Sequence, residues 1–220
     1  MDETEISLLV EGGGFETVKM VVRHAERPLF NTAKAPHEVS ITNDGRTEAE
    51  RLGNILRQYG IILDGCGSSP VRRCIQTAEF IAAGNRFRGK VETNPSLGGS
   101  DLFNDDEEAL GKTLDTCTIE EIIARQLRGE KVPGLKRVEE GLRIFMGRVL
   151  SDRSRKFEVF VSHDLFVCPA VHYLTGTEFS PDRCTGFLEG FFIAFRNDTA
   201  MVIWNGQWYD VTDRLRSLLA

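Results

Sequence analysis

Two arginines flank a histidine in the hexapeptide Arg23-His24-Ala25-Glu26-Arg27-Pro28. Guanidinium groups suit planar or tetrahedral oxyanions such as phosphate. Two fixed positive charges would also hold a neighbouring imidazole neutral by like-charge repulsion, and the neutral imidazole is the nucleophilic form. Taken alone, the hexapeptide is equally consistent with a nucleophilic histidine in an anion site and with a strand end that carries solvated arginines.

A second segment with anion-binding character is Ser68–Ala78, which reads SSPVRRCIQTA. Its proline suits the first position of a helix, where a missing N–H costs least. Arg73, Gln76 and Thr77 follow at i, i+3 and i+4 and share one helical face. A helix N-terminus with an arginine in its first turn favours an anion. Arg72 and Arg73 are adjacent and point in different directions, so we expect only one of them to enter a site.

A third polar segment, Ser162-His163-Asp164, follows the apolar run Phe157–Val161. The first two segments also follow predicted strands, namely the apolar run that begins at Thr17 and the run Ile61–Gly67. In open α/β sheets, ligands bind at the carboxyl ends of the strands. The three segments are therefore expected to meet at one edge of a sheet.

The remaining pattern predicts an α/β fold, a three-layer α/β/α sandwich with a mostly parallel central sheet and a small inserted cap. Residues 1–16 are expected to form a flexible N-terminal arm, with Gly12–Gly14 as a joint. Residues 17–220 are expected to form a single domain, and the cap is expected at about 94–137, where the apolar content is too low for a separate core. Helices are predicted from Thr42 and over Val138–Leu150, Leu165–Leu174 and Asp210–Leu219. A short strand is predicted at Val91–Thr93, and the strands Phe187–Phe195 and Ala200–Trp204 are predicted to form a hairpin.

Composition and charge restrict the partners. The 220 residues carry a formal net charge of −6, and no basic stripe offsets it, which argues against a nucleic acid or an anionic membrane as partner. The five cysteines are scattered without a C-x-x-C pair, which favours a reducing compartment. The chain shows neither a signal-peptide pattern nor an apolar run long enough to span a bilayer, so a cytoplasmic protein is expected. The oligomeric state is left open.

The segments RHAERP, SSPVRRCIQTA and VSHD, together with the helix ITNDGRTEAERLG, resemble the histidine phosphatase superfamily over most of residues 17–205. Its members include phosphoglycerate mutases and histidine acid phosphatases. The resemblance implies that His24 is a nucleophile that forms a phosphohistidine, and that the phosphate pocket consists of Arg23, Arg27, Arg73 and His163. Arg73 rather than Arg72 corresponds to the family arginine, which stands four positions after the serine of the serine-proline pair. No metal and no cofactor are implied.

For the proton donor, the chain departs from the pattern of the mutase-like members. Those members carry a glutamate two residues beyond a leucine, where this chain reads Leu97-Gly98-Gly99. They also follow the second histidine with glycine, whereas this chain has Asp164, as in the acid-phosphatase branch. We assign the general acid to Asp164, with a cap carboxylate such as Asp101 as the alternative. Ala25, where glycine is usual, is still small enough for phosphate to approach.

The sequence thus favours a metal-independent phosphatase that acts on a small phosphorylated metabolite through a phosphohistidine. Three alternatives stay open. One is a phosphoglycerate mutase-like phosphotransferase, and another is a non-catalytic phosphometabolite-binding protein of the same fold. The third is a metal phosphohydrolase that uses His24, His163 and Asp164 as ligands. The identity of the phosphate ester is not predicted.

Overall fold

The computed structural model describes residues 3–29, 37–98 and 105–220, apart from the side chain of residue 182. Its strands are β1 Thr17–Arg23, β2 Gly65–Ser68, β3 Glu92–Thr93, β4 Phe157–Ser162, β5 Gly190–Arg196, β6 Thr199–Trp204 and β7 Gln207–Asp210. Its helices are α1 Glu3–Gly12, α2 Asn43–Gln58, α3 Arg72–Asn85, α4 Glu107–Thr116, α5 Ile119–Leu127, α6 Val138–Val149, α7 Asp164–Thr175 and α8 Thr212–Leu219. Short 3₁₀ helices span Pro95–Leu97 and Pro181–Arg183.

The strands form one seven-stranded sheet in the order β3-β2-β4-β1-β5-β6-β7. The strands β3, β2, β4 and β1 pair in parallel, while β5, β6 and β7 pair antiparallel. The carboxyl ends of β1, β2 and β4 therefore lie at the same edge. The predicted α/β class with a sheet that is parallel at its centre is confirmed.

Both faces of the sheet are covered, as the alternation of apolar side chains along β1 shows. Val18, Met20 and Val22 pack into one core with residues of α1, α2 and α3. Val21 packs into the other core with residues of α5, α6, α7 and α8. Because successive side chains of a strand point to opposite faces, a strand buried on both sides reads as a continuous apolar run. The TVKMVV segment has this pattern.

Two glycines let α2 and α3 approach closely. A Cβ atom at Gly53 would lie 2.1 Å from the carbonyl oxygen of Ile81, and one at Gly84 would lie 2.0 Å from that of Glu50. Real Cβ atoms do not come so near a backbone oxygen, so each position requires glycine, which has no Cβ atom. The close packing fixes α3 against the body of the domain and hence the position of its first turn.

The amino-terminal segment differs from the prediction of a flexible arm. Residues from Glu3 to Gly12 form α1, in which Ile6 is fully buried and Leu9 nearly so. The Glu5 carboxylate accepts a hydrogen bond from the Asn205 amide at 2.9 Å. Tertiary packing of Ile6 and Leu9 supplies the stabilisation that an isolated short helix lacks.

The carboxyl-terminal region contains a strand that the sequence analysis did not predict. A helix was expected from Asp210, whereas β7 occupies Gln207–Asp210 and α8 begins at Thr212. Asn205 and Gly206 both have positive φ, at 50° and 68°, which is the geometry of a tight hairpin turn. The Asn-Gly pair is the signal that would have revealed the extra strand.

Residues 94–137 contain helices α4 and α5, and their apolar side chains join the core of the α6 and α7 side. Ile122, Val132 and Leu135 are buried in that core. The segment thus shares a core with the rest of the domain, in agreement with the prediction that its apolar content is too low for a separate core. The description of the segment as a cap stays a prediction. Asp101 and Gly99 lie outside the described residues. No helix in the described ranges has the length and apolarity needed to cross a membrane.

Candidate active site

The two predicted histidines meet at the carboxyl edge of the sheet. β1 and β4 are adjacent and parallel, with Arg23 opposite Ser162, so the residues that follow them emerge side by side. The His24 and His163 rings lie with their centroids 5.4 Å apart in an edge-on arrangement. Their exposed fractions are 2% and 7%.

The hydrogen bonds of His24 define its tautomer. The Nδ1 atom lies 2.8 Å from the Ala25 carbonyl oxygen, which can only accept, so Nδ1 carries the hydrogen. The Arg73 Nε–H group donates to Nε2 at 3.1 Å, so Nε2 carries the lone pair. Burial lowers the pKa of His24 well below its ordinary value, and the charges of Arg73 and other arginines lower it further, against the opposing effect of the Ala25 carbonyl. The ring is therefore neutral, with its free lone pair on Nε2.

His163 is held in the opposite tautomer by the same guanidinium. An Arg73 Nη2–H group donates to Nδ1 of His163 at 3.2 Å. In the neutral ring Nε2 then carries the hydrogen and donates to the Ser69 hydroxyl at 3.2 Å, which in turn donates to the Gly98 carbonyl oxygen at 3.1 Å. Burial, Arg73 and His24 keep the pKa of His163 well below its ordinary value. Arg73 thus contacts a ring nitrogen of both histidines.

Arg73 reaches this position because α3 begins directly after the carboxyl end of β2. The hydroxyl of Thr77, one turn later, donates to the Arg73 carbonyl oxygen at 2.7 Å and accepts from the Ala25 amide at 2.9 Å. This pair of bonds ties the first turn of α3 to the segment after β1. Arg72 instead points outward, with Nη1 3.9 Å from the exposed Glu38 carboxylate. Only one of the two adjacent arginines enters the site, as expected.

Two other predicted residues contact each other directly. The Arg23 Nη2 atom lies 2.7 Å from Oδ2 of Asp164, the first residue of α7. Its Nη1–H group donates to the Thr185 carbonyl oxygen at 2.7 Å. The guanidinium also lies over the Phe187 ring, 4.5 Å from the centroid, and that ring is 5.7 Å from the His24 ring. The predicted anion-binding arginine and the predicted proton donor therefore form an ion pair beside the histidines.

Arg27 completes the cluster of positive charge. Burial lowers the pKa of its guanidinium, the Asp164 charge raises it, and the Arg23 charge lowers it. Arg27 is thus within electrostatic range of both members of that ion pair. Glu26, between the histidine and Arg27 in sequence, accepts a hydrogen bond from the hydroxyl of Thr42, which caps the start of α2. Its contact is with the helix cap, and we assign it no role in the chemistry.

Sequence reasoning missed several contacts of this site. Ser69 was treated as part of a helix start, yet it bonds the second histidine. Thr185 comes from a distant segment without a recognisable pattern, and Phe187, the first residue of the predicted strand Phe187–Phe195, lies before β5, which begins at Gly190. A Cβ atom at Gly98, where φ is +127°, would lie 2.6 Å from Cδ2 of His163, so this glycine leaves room for the ring.

The charges of the site favour an anion over a cation. The described residues contain no group of three or more histidine, cysteine, aspartate or glutamate side chains that could hold a metal ion. A guanidinium occupies the space between the two histidines that the metal hypothesis would need, and like charges repel. A neutral imidazole lone pair beside several guanidinium groups is instead suited to accept a phosphoryl group, whose charge is spread over its oxygens.

Comparison with known proteins shows the family of the chain. The family model of the histidine phosphatase superfamily (branch 1) matches residues 20–185. The chain belongs to the histidine phosphatase superfamily. A search of curated protein sequences finds no match.

Several solved structures share the fold of this chain at low identity. A variant of phosphoserine phosphatase from Entamoeba histolytica, in complex with phosphoserine, is 18% identical, covers 90% of this chain and 99% of its own, and has a TM-score of 0.60. Bacillus stearothermophilus YhfR is 18% identical, covers 87% and 97%, and has a TM-score of 0.62. A phosphoglycerate mutase from Bacillus anthracis is 14% identical, covers 93% and 97%, and has a TM-score of 0.55. At these identities the likeness extends to the fold alone.

Proposed function

We propose that this histidine phosphatase superfamily member is a metal-independent phosphatase that hydrolyses a small phosphate monoester through a phosphohistidine on His24. The observation that carries the proposal is the position of Arg73, whose guanidinium contacts Nε2 of His24 and Nδ1 of His163. A phosphoryl group that displaced the Arg73 Nε–H group from Nε2 of His24 would face the lone pair of that nitrogen, with the guanidinium beside it as a donor to the phosphoryl oxygens. The remaining arginines supply charge stabilisation.

The first step transfers the phosphoryl group to the protein. Arg23, Arg27 and Arg73 hold the phosphoryl oxygens, and His163 joins them when Arg73 leaves its Nδ1 atom and that nitrogen takes up a proton; Nε2 of His24 attacks phosphorus in line with the ester oxygen. A P–N bond forms while the P–O bond to the alcohol breaks, and a protonated Asp164 donates its hydrogen to the leaving oxygen. Because the Asp164 carboxylate is ion-paired with Arg23 in the structure, this donation requires Arg23 to turn toward the phosphate and Asp164 to take up a proton from solvent before the ester bond breaks.

The second step releases phosphate. Water attacks phosphorus while Asp164, now ionised, accepts a proton from it, and the P–N bond breaks with its electron pair returning to Nε2. The products are the alcohol and inorganic phosphate, and both side chains return to their starting forms. The phosphoryl group passes to water rather than to a second metabolite, because the stretch where mutase-like members carry their glutamate reads Leu97-Gly98-Gly99.

Hydrolysis of p-nitrophenyl phosphate and of a panel of phosphorylated metabolites tests the proposal. We expect His24→Ala to lower kcat by at least about a thousandfold, as is usual when a covalent nucleophile is removed. EDTA should leave the wild-type rate unchanged, and a bisphosphoglycerate primer should not be required. The matched control is Arg72→Met, which changes an outward-pointing arginine and should retain full activity.

Three outcomes would contradict the proposal. Activity that EDTA abolishes would favour the metal phosphohydrolase. Transfer that depends on the primer would favour the mutase-like phosphotransferase. Phosphate binding without turnover of any ester in the panel would favour a non-catalytic binding protein.

A further inference from the structure

The hydroxyl group of Ser69 acts as an acceptor toward His163. Ser69 directly follows β2 and is fully buried. Its oxygen lies 3.1 Å from the Gly98 carbonyl oxygen, 3.3 Å from the Val71 amide nitrogen and 3.2 Å from Nε2 of His163. Because a carbonyl oxygen can only accept, the single hydroxyl hydrogen is donated to Gly98, and the two lone pairs are left for the amide and the ring. All hydrogen-bonding capacity of the hydroxyl is then used.

The 3₁₀ helix Pro95–Leu97 and the following Gly98 fix the hydroxyl groups on both sides of His163. The Leu97 carbonyl oxygen accepts from the hydroxyl of Ser162, the residue that precedes His163, at 2.7 Å. The next carbonyl oxygen, that of Gly98, accepts from Ser69. A Cβ atom at Gly98 would lie 2.6 Å from Cδ2 of His163 and 3.2 Å from the Ser69 hydroxyl oxygen. A side chain there would therefore push this turn away from both groups.

The Cys74 sulfur is a second neighbour of the same ring nitrogen, 3.4 Å from Nε2 of His163. Burial raises the pKa of its thiol to about 12, so the thiol is neutral. It donates to the Ser162 carbonyl oxygen at 3.5 Å, and a thiol sulfur is a weak acceptor. The Ser69 hydroxyl is therefore the stronger of these two acceptors.

The two ring nitrogens of His163 thus have different surroundings. Nε2 faces the Ser69 hydroxyl, which has no hydrogen left to donate, whereas Nδ1 faces the Arg73 guanidinium. A proton that the ring gains when Arg73 turns to phosphate enters at Nδ1, on the side of the phosphoryl oxygens. The charge is shared with Nε2–H, and a hydrogen bond from a charged donor is stronger than one from a neutral donor.

We propose that Ser69 is a positioning residue for His163, whose hydroxyl, fixed by the Gly98 carbonyl oxygen, accepts the Nε2–H bond and directs the proton gained with phosphate to Nδ1. The proposal rests on the proposed function in that His163 contacts a phosphoryl group. Ser69 acts through the ring and makes or breaks no bond itself.

Other groups near His163 also influence its protonation. Arginine charges and a proton on a neighbouring histidine oppose a proton on the ring, whereas a carboxylate favours it. These groups are Arg73 and Cys74 of α3, Arg23 and His24 at the end of β1, Asp164 of α7, and His37. All of them stay in place when Ser69 is replaced, so a comparison of Ser69 variants isolates the hydroxyl.

Calorimetric titration with inorganic phosphate, together with the nitrogen NMR signals of His163 in the phosphate-saturated protein, tests the proposal without any need for turnover. Ser69→Ala leaves the Nε2–H of the charged ring without its acceptor, so we expect about tenfold weaker phosphate binding. In the complex the pKa of His163 should be lower than in the wild type, because the protonated form loses the bond. Ser69→Thr keeps a hydroxyl and should restore both.

Two further variants separate this role from a merely structural one. Ser68→Ala removes a hydroxyl from the adjacent and equally buried serine, which bonds the Ser69 carbonyl oxygen rather than His163. It should match the wild type in both measurements. Ser69→Cys fills nearly the same space with a weak acceptor and should behave like Ser69→Ala, which keeps the test valid if the alanine variant does not fold by circular dichroism.

The outcomes separate this inference from the proposed function. Wild-type phosphate affinity and an unchanged pKa of His163 in Ser69→Ala and Ser69→Cys would overturn the inference alone, and so would equal losses in Ser68→Ala. If the Ser69 variants behave as expected but the wild type hydrolyses no ester, the proposed function alone is refuted. A wild type that does not bind phosphate would refute both.

Discussion

Arg73 is the residue on which the protonation of the site depends most. It is buried, and its guanidinium donates to one ring nitrogen of His24 and to one of His163. A permanent cation in that position disfavours a proton on either ring, since both charges would share a poorly solvated space. The guanidinium that we propose binds phosphate would therefore also keep His24, the proposed nucleophile, in its neutral form.

Replacing Arg73 should raise the pKa of His24. Arg73→Met keeps much of the apolar volume but removes the positive charge, so less repulsion opposes protonation, while burial continues to favour the neutral form. We expect the pKa of His24 and that of His163 both to move upward toward the ordinary histidine value. Titration of the imidazole nitrogens by two-dimensional NMR measures the change.

The neighbouring arginine provides the control for this titration. Arg72→Met removes the same charge from an outward-pointing side chain that is 54% exposed, where solvent screens it. The histidine titrations should then match those of the wild type. Equal shifts in both variants, or no shift in Arg73→Met, would show that Arg73 does not control the two rings.

At the residue scale, sequence reasoning located the central residues of the site but not the hydrogen bonds that hold them in position. The proximity of His24, His163 and Arg73 was predictable, because each residue follows a buried strand and the carboxyl ends of parallel strands lie at one edge of the sheet. The roles of these residues stay predictions. The bonds from Ser69 and Thr185 were not predictable, because they depend on how a turn and a distant loop fold back. The ion pair of Arg23 with Asp164 was also missed.

At the element scale, the close approach of α2 and α3 is what places the first turn of α3 at the sheet edge. Gly84→Ala should destabilise the protein, because the new Cβ would lie 2.0 Å from the Glu50 carbonyl oxygen and the helices must separate. Overpacking of this kind costs about 3 kcal/mol in free energy of unfolding. Urea denaturation measures the loss, and lower phosphatase activity should accompany it because α3 carries Arg73.

Gly147 in α6 is the matched control for a glycine inside a helix. No atom lies within 4 Å of the position that a Cβ would take there. Gly147→Ala should therefore raise the free energy of unfolding by about 0.5–1 kcal/mol, through helix propensity alone. If Gly84→Ala were as stable as Gly147→Ala, the helix contact would not be the constraint described above.

Elements with strong periodicity were predictable, and those that depend on tertiary contacts were not. The prediction for Val138–Leu150 agrees closely with α6, because its apolar spacing alone specifies a buried face. Helix α1 was missed because its stability comes from burial of Ile6 and Leu9 against the rest of the domain. Strand β7 was missed for a different reason: only four residues form it, and the Asn205-Gly206 signal for the turn before it was not used.

At the scale of the whole molecule, three buried histidines link stability to pH. The pKa values of His24, His163 and His172 are all lowered, in each case chiefly by burial. Above pH 6.5 these histidines are neutral in both the folded and the unfolded chain and contribute no pH dependence. As the pH falls below 6.5 the unfolded chain binds protons that the folded chain does not, so the protein loses stability.

We expect the free energy of unfolding to be nearly constant from pH 8 to 7 and to fall between pH 6.5 and 5.5. The limiting slope is about 1.4 kcal/mol per pH unit for each histidine that stays neutral in the folded chain, hence at most about 4 kcal/mol per unit for three. Urea denaturation across this range measures it. His172→Gln, which leaves the two site histidines in place, should reduce the slope by at most about one third. A slope of zero would mean that the buried rings accept protons in the folded state.

The covalent intermediate is the most direct test of the chemistry at His24. The 220-residue chain is incubated with ³²P-labelled p-nitrophenyl phosphate, quenched in base and digested, and the labelled residue is identified by mass spectrometry. Because p-nitrophenolate leaves without a proton donor, Asp164→Asn should still form the intermediate but should break it down slowly, so label accumulates. We expect acid-labile phosphate on Nε2 of His24, absent from His24→Ala. Hydrolysis of the ester with no label on His24, or with label on another residue, would contradict the phosphohistidine mechanism.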